Sequence, residues 1–68
     1  MVIRVRKQDS AYLYQVLESY EGLANYSTVP APKEQLYRDI LLHVAPDLKT
    51  EVDRLLTRLA HEIPLGRL

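Results

Sequence analysis

Cysteine is absent from the sequence and glycine is scarce. Without cysteine there can be no disulfide framework, no thiolate metal site and no cysteine nucleophile. This composition fits a cytosolic protein, and we predict a cytoplasmic location. The glycines are Gly22 and Gly66 alone, which leaves no glycine-rich loop that could cradle phosphate groups.

Net charge and long apolar runs are also missing. Nine Lys and Arg residues balance nine Asp and Glu residues, so the chain lacks the long-range field that gathers nucleic acids or anionic membranes. The first residues, MVIRVRK, return to charge after a few apolar positions. That run is far short of a signal-peptide core or of the roughly 20 residues that span a membrane. We therefore expect a soluble protein with no membrane partner.

The chain does have enough apolar content for one packed domain. Its 68 residues are 47% hydrophobic, which argues against disorder. A chain this short buries a small fraction of its surface and lies near the lower limit for folding alone. We predict a single domain over residues 1–68 that gains stability from a second copy of itself.

The amino-terminal third predicts a strand followed by a helix. VIRVR alternates strictly, which predicts a strand over residues 2–7 with one buried face. The period then changes over DSAYLYQVLESYEG, where Asp9 or Ser10 is expected to cap the helix and Gly22 to end it in the left-handed conformation. The apolar stripe of this helix consists of Leu13, Val16, Leu17 and Tyr20.

Two further strands are predicted around the segment Pro30-Ala31-Pro32. The run LANYSTV over residues 23–29 has β-branched and aromatic residues. Its buried set is either Leu23, Asn25, Ser27 and Val29 or Ala24, Tyr26 and Thr28, and the second set is favoured beyond Leu23. LYRDILLHV over residues 36–44 predicts the longest strand, with Leu36, Ile40, Leu42 and Val44 on the core side.

The carboxy-terminal third predicts the second helix. Asp47 follows a proline and is the expected N-cap. Pro64 ends the helix, and the final PLGRL is either a short fourth strand, a tail, or a segment that pairs with a neighbouring copy. A continuous apolar stripe is formed by Leu48, Val52, Leu55, Leu56, Leu59 and Ile63.

The predicted order is β-α-β-β-α with an optional closing β. Each helix has one apolar stripe and each strand one clearly apolar face, so both helices should cover the same face of an antiparallel sheet. Right-handed connections make this an α+β, ferredoxin-like two-layer sandwich.

Three segments carry a resemblance to a known family. LESYEGLA, the strand end VAPD and the helix EVDRLLTRLAHEI resemble a family of small uncharacterised bacterial domains with an ACT-like, ferredoxin-like fold. The resemblance implies this fold and a tendency to self-associate, and it supplies no catalytic residue. ACT domains bind amino acids near the first strand-to-helix turn, often with glycine there. Lys7-Gln8-Asp9-Ser10 departs from that pattern.

Catalytic and metal-binding patterns are not found in the sequence. His43 and His61 are 18 positions apart on different predicted elements, which is not a metal-ligand spacing. No serine has an evident histidine base beside it. We therefore predict a non-enzymatic domain without a cofactor or a metal.

The informative surface is the sheet face that the helices leave open. Two copies could pack there face to face, with Arg4 or Arg6 of one copy meeting Asp39 of the other. The alternative is an RNA-binding module that stacks bases on Tyr37. A third interpretation places a regulatory small-molecule pocket between two copies. The residues expected on this face are Arg4, Arg6, Tyr37, Asp39, Leu41 and His43.

Overall fold

The secondary structure follows the predicted order. A computed structural model describes residues 1–20 and 22–68. Glu21, inside the segment predicted to end the first helix, lies outside the described residues. Short 3-10 turns, Lys7–Asp9 and Pro46–Leu48, precede the two helices. The elements are β1 Val2–Arg6, α1 Ser10–Ser19, β2 Asn25–Thr28, β3 Tyr37–His43, α2 Lys49–Leu59 and β4 Leu65–Arg67.

The four strands form one antiparallel sheet in the order β2-β3-β1-β4. β1 lies between β3, where Val2 is opposite Leu41, and β4, where Arg4 is opposite Gly66. This order is that of a ferredoxin-like sandwich, so the predicted fold is confirmed. Of the alternatives for PLGRL, the structure has the short fourth strand, because Leu65–Arg67 pairs with β1 of the same chain.

The core lies between the sheet and both helices. Ile3, Val5, Ile40 and Leu42 are at most 2% exposed and point from the two central strands toward the helices. Burying each such side chain contributes about 1.5–3 kcal/mol. The same cluster contains, from the helices and the turn after α2, Leu13, Leu17, Val52, Leu55, Leu56, Leu59 and Ile63.

The second strand presents the favoured set of side chains to the helices. Tyr26 is opposite Leu42 in β3 and packs against the core, so Ser27 lies on the open face. Tyr26 also stacks on Tyr14 of α1, with ring centroids 5.2 Å apart and an interplanar angle of 8°. The stack ties α1 to the edge of the sheet.

Two residues predicted to be buried are exposed. Leu36 is 81% exposed, because it lies level with Lys7, whose N–H donates to its carbonyl at 2.9 Å, and the buried core ends at Val5. Tyr20 is 41% exposed, because α1 ends at Ser19 and the backbone of Tyr20 turns away with ψ 61°. Both predictions were wrong for the same reason, namely that the elements end before these positions.

The predicted caps are also wrong. Asp9 occupies the N-cap of α1 but makes no cap hydrogen bond, because its carboxylate accepts from Arg6 at 2.7 Å. The hydroxyl of Ser10 donates to the carbonyl of Lys7. Asp47 lies inside the second 3-10 turn, and α2 begins after it without a side-chain cap. Gly22 has the predicted left-handed conformation, with φ +83°, although α1 already ends at Ser19.

Candidate functional site

The face of the sheet opposite the helices holds all six residues predicted for it. The register sets Leu41 beside Val2, Asp39 beside Arg4 and Tyr37 beside Arg6. Because side chains alternate along a strand and Ile40 and Leu42 are buried under the helices, these neighbours point the other way. We call this surface the open face; it consists of Val2, Arg4, Arg6, Asn25, Ser27, Val29, Tyr37, Asp39, Leu41, His43, Gly66 and Leu68.

The centre of the open face is an ion pair within one chain. Arg4 donates from Nε to one carboxylate oxygen of Asp39 at 2.7 Å and from a terminal nitrogen to the other at 3.0 Å. This is the bidentate geometry that makes arginine pairs strong. Asp39 was expected to meet an arginine of a second copy, and the structure instead pairs it with Arg4 of its own chain. The antiparallel register of β1 and β3 places the two residues directly opposite.

The same guanidinium also covers an aromatic ring. The central carbon of the Arg4 guanidinium lies 4.0 Å from the centroid of the Tyr37 ring, within the range of a cation–π interaction. Tyr37, Arg4 and Asp39 therefore form one cluster across β3 and β1. One face of the Tyr37 ring is covered by Arg4, so that face is not available for stacking with a base.

The contacts within this cluster shift the pKa values of Asp39 and Arg4. The hydrogen bonds from Arg4 lower the pKa of Asp39 below its ordinary value of 3.8, although partial desolvation opposes the shift. The same hydrogen bond raises the pKa of the Arg4 guanidinium. Both groups are thus held in their charged forms, and their charges cancel.

Arg6, His43 and Ser27 of the open face are paired as well. Arg6 binds the carboxylate of Asp9 at 2.7 Å, at the edge where β1 runs into the 3-10 turn. His43 lies 3.2 Å from the hydroxyl of Ser27, from Nε2 to Oγ. The two arginines predicted for this face are therefore both neutralised by carboxylates of the same chain.

Apolar side chains occupy much of the remaining open face. Leu41 and Val2 are half-buried neighbours in the two central strands. Leu68 continues this row, since its N–H donates to the carbonyl of Val2 at 2.8 Å. Val29 lies on the other side, where its N–H donates to the carbonyl of Asp39 at 3.1 Å. Val29 is 41% exposed and Leu68 65% exposed.

Gly66 leaves a depression in the open face. Because it has no side chain beside Arg4, an open groove of about 420 Å³ runs along β4. A Cβ atom built on Gly66 would meet nothing within 4 Å. The groove is bordered by Arg4, Arg6, Tyr37, Pro64, Gly66 and Leu68.

The strict alternation of VIRVR already sets Val2 on the side of Arg4, opposite Ile3. Three further residues that bear on the shape of the open face were not among the predicted ones: Val29, Gly66 and Leu68. Val29 and Leu68 lie outside the strand bounds, and their positions depend on single backbone hydrogen bonds. Gly66 could be placed on this face only once β4 was known to pair with β1.

Neither a metal site nor a spanning helix is found in the described part of the chain. Residues 1–20 and 22–68 contain no group of three or more His, Cys, Asp or Glu side chains arranged to hold a metal ion. Among the same residues no helix has the length and apolarity to cross a membrane.

Fold and open face together define an α+β ferredoxin-like domain whose helices cover one side of the sheet. The chain belongs to the family described as Domain of unknown function (DUF4911), whose sequence model matches residues 3–63. No curated protein and no solved structure gives a significant match. Membership in a family of small uncharacterised domains is thereby shown, and the ACT-like relationship and bacterial origin stay predictions.

Proposed function

We propose that this chain is a non-enzymatic domain that forms a homodimer by packing two open faces against each other. The proposal rests on two properties of that face: the helices do not cover it, and its central charges are paired with each other. Within the described residues both helices lie on the opposite side, and the central charges of the open face are already paired with each other. A surface of this kind is half apolar and has little net charge.

Internal charge pairing lowers the cost of covering the face. Removing an unpaired arginine or aspartate from water is expensive, whereas a bidentate pair enters an interface with its charges compensated. Arg4 and Asp39 form such a pair. The apolar row of Leu41, Val2 and Leu68 then provides the hydrophobic contribution to association.

The size of the face predicts a weak, reversible dimer. Four strands about 4.8 Å apart and the length of β3 give one face an area of about 430 Å². Two facing copies would bury about 900 Å² in total, at the lower end of specific interfaces. We therefore expect a dissociation constant in the micromolar range, roughly 1–100 μM.

RNA binding is the alternative, and the same contacts count against it. Tyr37 and two arginines lie on the strands that such sandwiches use for bases. However, Arg4 covers the ring of Tyr37 and Arg6 is bound to Asp9. An RNA strand would have to displace both interactions, and the chain has no net positive charge to offset that cost.

The test is the solution mass of the protein across a range of concentrations, measured by sedimentation equilibrium. We expect a monomer–dimer equilibrium in the wild type, and a dissociation constant raised about a hundredfold or more by Leu41→Glu, because the carboxylate would be buried without a partner in both copies. Leu36→Glu is the matched control. It makes the same change directly before the first residue of β3, at a position that alternation places away from the open face.

A wild type that stays monomeric to millimolar concentration would overturn the homodimer, as would a Leu41→Glu variant that dimerises like the wild type. In the first case the RNA alternative gains support if single-stranded RNA binds and if Tyr37→Ala weakens binding more than Leu41→Glu does.

A further inference from the structure

One row across the open face has a projecting side chain at one end and a gap at the other. The register aligns Val29, Asp39, Arg4 and Gly66 in this order from β2 to β4. Val29 is 41% exposed, while a Cβ atom on Gly66 would meet nothing within 4 Å. If the same row of a second copy faces this one in reverse order, the valine of each copy lies over the gap of the other, and the two are complementary in shape.

Symmetry allows two simple ways to place two open faces together. A two-fold axis that lies between the sheets and across the strands would set each strand on its own copy, and when this axis passes through the row of Arg4 and Asp39 it places Asp39 on Asp39. An axis along the strands, between β1 and β3, sets β3 on β1 and β2 on β4 of the second copy. The first arrangement brings like charges together, which is unfavourable. The second brings opposite charges together.

We propose that the two-fold axis runs along the strands between β1 and β3, so that Val29 of each copy fills the gap at Gly66 of the second copy. This inference rests on the homodimer proposed above and specifies how its two faces meet. Two sheets that pack with their strands roughly aligned are a common arrangement, with a spacing of about 10 Å and an angle of about 30°.

The rest of the face agrees with this arrangement. Asp39 of each copy lies over Arg4 of the second copy, so the two bidentate pairs meet as antiparallel dipoles. Leu41 lies over Val2 of the second copy, which joins the apolar rows into one layer. Each contact occurs twice, as an isologous interface requires. The groove beside β4 provides the space that Val29 needs.

A double-mutant cycle at Val29 and Gly66 tests the arrangement. Gly66→Val overpacks the gap in both copies and should raise the dimer dissociation constant about tenfold or more. Val29→Ala leaves a void and should raise it by a smaller factor. In the double variant the new valine takes the space that Val29 vacated, and dimerisation should be about tenfold tighter than in Gly66→Val alone.

Folding of the variants is checked separately. Gly66 has no positive φ and its Cβ has open space, so Gly66→Val in the Leu41→Glu background should melt no lower than that background itself. Gly66→Ala is a milder variant for the same cycle and should weaken dimerisation less than Gly66→Val does.

The outcomes separate this inference from the one on which it rests. If the wild type dimerises and Leu41→Glu disrupts the dimer, but Val29 and Gly66 show independent effects, the homodimer holds and the arrangement is wrong. If the wild type is monomeric at all concentrations, both are overturned. Coupling between the two positions in a dimeric protein supports both.

Discussion

Arg4 combines three interactions on one side chain. Its guanidinium donates two hydrogen bonds to Asp39 and lies over the ring of Tyr37, and the residue lies opposite Asp39 in β3 and Gly66 in β4. A single planar, permanently charged group can do this because its donors lie in one plane and its faces remain open for stacking. A lysine at this position would lose the bidentate geometry.

The ion pair makes stability depend on pH in the acidic range. The folded-state pKa of Asp39 is held below its ordinary value of 3.8 by Arg4, so the folded form binds fewer protons than the unfolded form between those two values. The contribution is present above about pH 4 and decreases as the pH falls through the folded pKa.

Replacing Asp39 by Asn should remove part of this dependence. We expect the midpoint of urea unfolding to fall less steeply between about pH 4 and pH 2 in Asp39→Asn than in the wild type. Asp47→Asn is the matched control, because the carboxylate of Asp47 makes no hydrogen bond to the described residues. Equal acid dependence in wild type and Asp39→Asn would show that this pair does not contribute. Asp53, whose pKa is also lowered, contributes to the dependence that remains.

Among the elements, β2 is a short edge strand that is followed by a long connection to β3. It has four residues and pairs only with β3. The Tyr14–Tyr26 stack attaches it to α1, and the Tyr26 hydroxyl donates to Glu18 of that helix at 3.0 Å. The hydrogen bond raises the pKa of Tyr26. These contacts hold the helix layer over the edge strand.

The stack should be measurable as a coupling between two elements. In a double-mutant cycle of Tyr14→Leu and Tyr26→Leu, we expect an interaction free energy of about 0.5–1.5 kcal/mol, measured by urea unfolding. Tyr26→Phe keeps the ring and removes the hydroxyl, so it separates the stack from the bond to Glu18. Additive effects of the two leucine substitutions would mean that the rings do not stabilise each other.

At the scale of the whole molecule, stability depends on one small core. A 68-residue chain has little reserve, since domains of this size are marginally stable. Leu56 is 0% exposed in that core, whereas Leu36 is 81% exposed. One of these leucines is therefore fully buried and the other is largely exposed.

Truncating these two leucines should change the free energy of unfolding by very different amounts. Leu56→Ala should lower the free energy of unfolding by about 2–5 kcal/mol, because it leaves a cavity. Leu36→Ala should change it by less than about 0.5 kcal/mol. Thermal unfolding followed by circular dichroism compares them directly. A Leu36→Ala variant as unstable as Leu56→Ala would mean that residue 36 is covered, either by a second copy or by another segment.

Local pattern accounted for most of the fold. The period of two in VIRVR and of 3.6 in the second helix follows from backbone geometry, which sends alternate strand residues to opposite faces whatever the neighbours are. This is why Arg4, Arg6 and Leu41 could be placed on one face before any strand pairing was known. The left-handed conformation of Gly22 was equally a local property, because glycine adopts a positive φ at little cost.

Contacts between distant residues required the tertiary structure. The sequence by itself determined the order of the elements, most of the core stripes and which strand residues share a face. Only the folded chain decided that Arg4 meets Asp39 of its own chain, that Tyr14 stacks on Tyr26, that Leu36 lies beyond the core and that Gly66 leaves a gap beside Arg4. The physical reason is that these depend on strand register and on where each element ends, and both are set by the balance of contacts across the whole domain.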